Sequence, residues 1–236
     1  MNRTLLVALW RQRLTSPLRV VILGFMLLVP LLGTAASRGA GLSLLGDAVG
    51  LVLVLGVGAI GQDVSSGVLQ LLFARPVRRS EYVVSRWLAI GIGASALTLV
   101  QVAMAWGILA GRGAPQTPPE VALFAAGRIL ETFGVAAVIV LLSSLIAGYG
   151  DLAIYVLATL AAGMIGMVGQ FQSAPQLVRA GEELHGFLVP RIDLARVLSM
   201  TSPPWFEITS WLSTVTLCLA LAIVVTNRKE FSYASG

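Results

Sequence analysis

Charge is what this sequence has least of. Only 11% of its 236 residues are Asp, Glu, Lys or Arg, where a soluble domain carries about 25%. Lysine is nearly missing: of 16 basic residues, only Lys229 is not an arginine. That rules out a phosphate loop of the form GxxxxGK[ST], because Lys229 follows Arg228 and not a glycine. The single histidine, His185, excludes an HExxH zinc site. With Glu182 and Glu183 beside it and no further ligands at fitting spacing, it reads as a solvated helix end. The single cysteine, Cys218, excludes an intramolecular disulfide, and its apolar surroundings suit a small buried hydrophobe. No G-x-S-x-G elbow occurs. The expectation is therefore a non-enzymatic chain that holds no cofactor and no metal of its own.

What fills the space is apolar. Hydrophobic residues make up 57% of the chain, and the mean hydropathy is +0.88. This composition predicts an all-α, polytopic membrane protein, a single transmembrane domain over residues 1–236. Six runs have the length needed to cross a bilayer, about 20 residues each. They cover about 18–36, 44–61, 88–110, 123–147, 152–170 and 208–226. Before the first run, Leu5, Leu6, Leu9 and Trp10 among Arg3, Arg11 and Arg13 predict a short helix lying at the membrane surface. The first run, ending in Thr34-Ala35-Ala36-Ser37, also has the look of a secretory signal peptide.

Small residues mark contact faces. Gly46 and Gly50 form a GxxxG in the second run, and Gly163, Gly166 and Gly169 recur every three residues in the fifth. Polar residues inside the runs are few. Gln101 falls mid-span and reads as interhelical glue or as lining of a substrate path. Arg128 and Glu131, three apart near the start of the fourth run, suit a same-face pair with the same two readings. No run shows a mid-membrane carboxylate of the kind proton-coupled transport uses. Residues 171–206 are the longest polar stretch. Prolines cut it into two short pieces, one with Leu177, Val178 and Leu184, the other with Ile192, Ala195, Leu198 and Met200. Both are too short to span, and they predict helices lying on or dipping into the outer leaflet.

Six spans place both ends on one side. That side then holds ten basic residues and four acids, against six and seven on the other. Basic residues accumulate on the cytoplasmic side, so both termini are expected there. Removing the first run as a signal peptide would upset this balance. The overall pI of 10.1 has the same explanation, and no nucleic-acid partner is expected.

The longest break in the first half, Gln62 to Arg86, falls on that cytoplasmic side. On a helical wheel Val64, Val68, Leu69, Leu71, Leu72 and Phe73 share one face, and Asp63, Ser66, Gly67, Gln70 and Ala74 the other. Arg75-Pro76 ends this pattern, because proline has no amide hydrogen and disfavours helical angles in the residue before it. A basic stretch, Val77 to Arg86, leads into the third run.

The order of residues in this break resembles the signature of the ABC-2 type transporter permeases. It carries an acid, a glycine, Leu-Leu, Pro-Val, an arginine, Glu-Tyr and a basic residue. Here these are Asp63, Gly67, Leu71-Leu72, Pro76-Val77, Arg79, Glu81-Tyr82 and Arg86. Asp63 stands where glutamate is more usual in that family, and Arg86 where lysine is. The resemblance implies the membrane-spanning subunit of an ABC exporter in the bacterial cytoplasmic membrane. Its surroundings would be membrane lipid, its partners a separate cytoplasmic ATPase subunit that binds the ATP and a second permease copy, identical or not. It implies a coupling helix whose contacts to the ATPase fall on Asp63, Ser66, Gly67, Gln70, Leu71, Leu72, Pro76, Arg79 and Glu81. It also implies re-entrant helices before the last span. Two other classes fit the composition: an ion- or proton-coupled secondary transporter, which calls for broken helices and polar groups at the midplane, and a membrane assembly or scaffold protein.

Overall fold

A computed structural model describes residues 3–37, 41–67, 78–114, 116–194 and 205–228. Every regular element among them is helical. The order is α1 (Arg3–Leu14), α2 (Pro17–Ala36), a 3₁₀ turn (Leu42–Leu45), α3 (Val49–Gly56), α4 (Gly61–Ser65), α5 (Arg79–Gly111), α6 (Pro118–Leu145), α7 (Gly150–Phe171), α8 (Pro175–Leu188) and α9 (Trp205–Arg228). Six segments are long and apolar enough to cross a membrane: α2, Leu42–Ser65, α5, α6, α7 and α9. The chain is a multi-pass membrane protein.

Local chemistry sets the boundaries. Ser16 precedes α2 and Pro17 opens it, at the position where a missing amide costs nothing. Thr117 and Glu120 form a capping box on either side of Pro118 and Pro119 at the start of α6. The third span starts earlier than its apolar run: α5 already begins at Arg79, with Glu81 in the first turn to complement the helix dipole. It reaches about 50 Å at 1.5 Å per residue, well beyond the hydrocarbon core.

α6 is the centre of the bundle. Every residue from Val135 to Leu141 is buried, against Leu51, Val52 and Leu55 of α3, Ile90 and Ala94 of α5, and Val215, Cys218 and Ala222 of α9. Between helices in lipid the hydrophobic effect gives little, so close fit and hydrogen bonds must hold the bundle. Three indoles supply such bonds across helices. Trp10 Nε1 donates to Ala89 O at 2.8 Å, Trp87 Nε1 to Phe133 O at 2.9 Å, and Trp211 Nε1 to Leu130 O at 3.2 Å. Gln101 adds another: its Nε2 donates to Met26 O and Leu27 O, each at 3.2 Å. Those carbonyls lie one turn before Pro30, which has no amide to offer Met26.

Three expectations are corrected. The helix that holds Asp63 is not continuous past Gly67: α4 ends at Ser65, and Gly67 turns out of it at φ +72°, while residues 68–74 lie outside the described residues. Gly46 and Gly50 form no helical GxxxG, because Gly46 (φ +62°) lies in the turn before α3. Arg128 and Glu131 are not near a helix start: α6 begins at Pro118, so they sit ten and thirteen residues inside it. Gln70, Leu71, Leu72 and Pro76 fall outside the described residues, as do Ala195, Leu198 and Met200 of the second short piece.

Candidate functional site

The second span is broken twice, and each break is closed by side chains from other spans. Glycine allows the inner break. Gly58 adopts φ +68°, and Gly61 sits so close to the α6–α7 turn that a Cβ would lie 2.4 Å from Ile146 O. The helical ladder lapses between α3 and α4, which exposes three amides inside the protein. Gly58 N–H donates to Asp151 Oδ2 at 2.7 Å, and both Ile60 and Gly61 donate to Ser143 Oγ at 3.0 Å. Gly61 O in turn accepts from Gly148 N–H at 2.8 Å. Asp151 is fully buried, and irregular backbone at this depth is stable only with such partners. At the other end, Ala48 N–H before α3 donates to Glu131 Oε1 at 2.9 Å, and Glu131 Oε2 accepts from Arg128 Nη1 at 2.6 Å.

Just past the inner break stands Asp63, only 4% exposed. Its Oδ2 accepts from Tyr82 Oη at 2.6 Å and from Arg86 Nη2. The Arg86 guanidinium lies 5.0 Å from the centre of the Tyr82 ring, so one arginine meets both a carboxylate and an aromatic face. The end of the second span and the start of the third are thereby tied by a buried ion pair. Arg13 of α1 is buried near this pair, and its Nε and Nη1 have no hydrogen-bond partner among the described residues. Burial, with Arg19 and Arg86 close by, pushes its pKa down to about 10. It therefore stays charged through the neutral range. Arg79 closes the other flank: its Nη1 donates to Thr226 O at 3.1 Å and Asn227 O at 2.7 Å, capping the end of α9.

Of the residues singled out by sequence, Asp63 meets Tyr82 and Arg86 directly. Arg79 and a half-buried Glu81 open α5 nearby, and Ser66 and Gly67 close α4. Arg128 and Glu131 do pair, but at the far end of the bundle from Asp63. They line a cavity of about 870 Å³ there, whose wall includes Glu120, Arg191, Asp193 and Glu207. Gln101 joins neither place; its amide is engaged with α2. Asp151, Ser143 and Arg13 were missed. The three glycines at 56, 58 and 61 and the acid in Gly148-Tyr149-Gly150-Asp151 were the available signal: a span that breaks needs a buried acceptor. Among the described residues no group of three or more His, Cys, Asp or Glu side chains is placed to hold a metal ion.

Compared with known proteins, the chain matches no family model and no curated protein.

Proposed function

We propose that this chain is the membrane-spanning subunit of an ATP-driven exporter, dimeric in the membrane and driven by a separate ATPase that docks on the side carrying α1 and the α4–α5 connection. The observation that supports this most is the Asp63–Arg86–Tyr82 junction. A connection anchored by a buried ion pair to two spans at once passes an applied force to both spans rather than flexing. The hinge it would act on is the glycine break just beyond, at Gly58 and Gly61. The order of residues from Asp63 to Arg86 points the same way. On this reading Asp63, Ser66, Gly67, Gln70, Leu71, Leu72, Pro76, Arg79 and Glu81 form or support the docking segment.

The test is to purify the chain gently and identify which ATPase stays with it, then ask which compounds raise its hydrolysis rate. Gly67→Trp and Pro76→Ala are expected to leave the protein in the membrane but to uncouple hydrolysis from transport. Normal transport in both variants, or cargo movement by the chain alone, contradicts the proposal.

The broken second span supports a second reading, a secondary transporter driven by an ion gradient. Discontinuous helices with polar groups at their ends are the usual site in such proteins, and Glu131 and Asp151 stand at the two ends of α3. Nucleotide-free vesicles separate the two: gradient-driven uptake favours the second reading, its absence the first.

A further inference from the structure

We infer that α8 lines a water-filled cleft that reaches from the end of the bundle opposite α1 to about the middle of the membrane. The reasoning begins with where α8 runs. It does not lie across the bundle end but folds back antiparallel along α7. A Cβ on Gly169 would meet Leu177 and Val178, and one on Gly181 would meet Gly166 N at 2.6 Å and Ala162 O at 2.9 Å. At its far end Leu188 O accepts from Tyr155 Oη at 3.1 Å, only five residues from the start of α7. Fourteen helical residues cover about 20 Å, most of a 30 Å hydrocarbon core. The chain then turns back: Pro190 O lies beside Gly134 and Ile192 O beside Gly127, successively nearer the start of α6.

This path carries charge to depth. At 100° per residue, Gly181, Leu184 and Leu188 face the bundle, while Arg179, Glu182 and Glu183 share the opposite side. All three of these charged residues are exposed. Glu182 and Glu183 stand level with the middle of α7. Arginine can extend to an interface, but a glutamate side chain at this depth is too short to do so. Lipid is therefore an unfavourable neighbour for this face. A dry contact with a second copy is unfavourable too, because two acids against one arginine leave each copy's face with surplus negative charge. Water satisfies it. A groove of about 330 Å³ between α7 and α8, lined mainly by apolar atoms of Ala162, Gly163, Gly166, Met167 and Gly181, has Gln170, Glu182 and His185 as its polar groups. Such a cleft carries a hydrophilic or cationic solute, or the polar head of an amphiphile. It does not depend on what drives transport.

The test is spin labelling of the full chain in lipid vesicles. Nitroxides are placed singly at Glu182→Cys and Glu183→Cys on a Cys218→Ala background. Leu157→Cys and Leu160→Cys, on the exposed apolar side of α7, serve for comparison. Gly186→Cys lies in the same polar arc, removes no charge, and meets nothing within 4 Å, so it repeats the reading if a glutamate variant misfolds. Collision with a water-soluble nickel chelate relative to oxygen is expected to be several-fold higher on α8 than at Leu157 and Leu160. A ratio favouring oxygen on α8 would place it against lipid and overturn the inference. Low collision with both reagents would mean a dry protein contact and overturn it as well.

Discussion

Asp151 accepts the amide hydrogen of Gly58 at 2.7 Å, joining the start of the fifth span to the break in the second. The same carboxylate takes the amide of Leu152 through its other oxygen at 2.9 Å. Asp151→Ala strips Gly58 N–H of its acceptor inside the protein, while Leu152 N–H keeps Tyr149 O at 3.2 Å. Leaving a buried donor unpaired costs about 1–3 kcal/mol, so the melting temperature in detergent is expected to fall clearly. Asp151→Asn keeps one carbonyl oxygen and should recover part of the loss. Ser143→Ala, which orphans the amides of both Ile60 and Gly61, should cost a similar amount. An unchanged melting temperature for Asp151→Ala would mean that water reaches the break.

Gln101 and Pro30 form a second compensating pair. Pro30 leaves Met26 O without its helical donor, and the Gln101 amide fills the vacancy from α5. Gln101→Leu should therefore destabilise by about 1 kcal/mol, the net worth of an ordinary hydrogen bond. In a Pro30→Ala background the restored amide can reach Met26 O, and the cost of Gln101→Leu should shrink. A double-mutant cycle on unfolding free energies reads this directly. Strict additivity would show that Gln101 serves some other partner.

The Asp63–Arg86 pair invites a sharper contrast. Asp63→Asn leaves Arg86 buried without its counter-charge and removes the nearby negative charge that also favours the charged form of Arg13. Breaking one side of a buried pair costs about 3–5 kcal/mol, whereas replacing both sides with apolar groups is often neutral. Asp63→Leu combined with Arg86→Met should accordingly be more stable than Asp63→Asn alone. The double variant would keep the fold but lose the polar tie, which makes it the right background for asking whether the tie transmits force. Equal destabilisation in both would argue that Tyr82 or backbone groups can stand in for the missing charge.

Six spans were legible because hydropathy over a twenty-residue window is the quantity that decides insertion, and this chain has six well-separated maxima. The partnership of Asp63 with Arg86 was legible only as part of a residue order, since nothing in their spacing of 23 predicts contact. The inner break after α3 was hidden because Gly56, Gly58 and Gly61 are individually ordinary in a transmembrane helix. Their meaning comes from Asp151 and Ser143, more than eighty residues away. The depth of α8 was hidden for a different reason. A fourteen-residue segment with Arg179, Glu182 and Glu183 scores as polar, and hydropathy cannot tell a helix on the surface from one folded back along α7. The close fit of Gly181 against Gly166 and the Tyr155–Leu188 hydrogen bond reveal which it is.

That fit yields the last prediction. A side chain at Gly181 would press on Gly166 N and Ala162 O, which are backbone atoms and cannot swing aside as a flexible side chain would. Gly181→Val should therefore push α8 off α7, and Gly169→Val should do the same at the other end of the contact, where a Cβ would lie 2.6 Å from Val178 N. Amide exchange in α8 is expected to accelerate in both, with the exchange in α6 little changed because its core lies elsewhere. Gly163→Ala and Gly186→Ala are the matched controls: both positions are open, and alanine favours helix over glycine by about 1 kcal/mol. Those two should be neutral or slightly stabilising. If Gly181→Val left α8 exchange at its original rate, the helix would not be seated on α7 in the way described, and the charged face would no longer be held at depth.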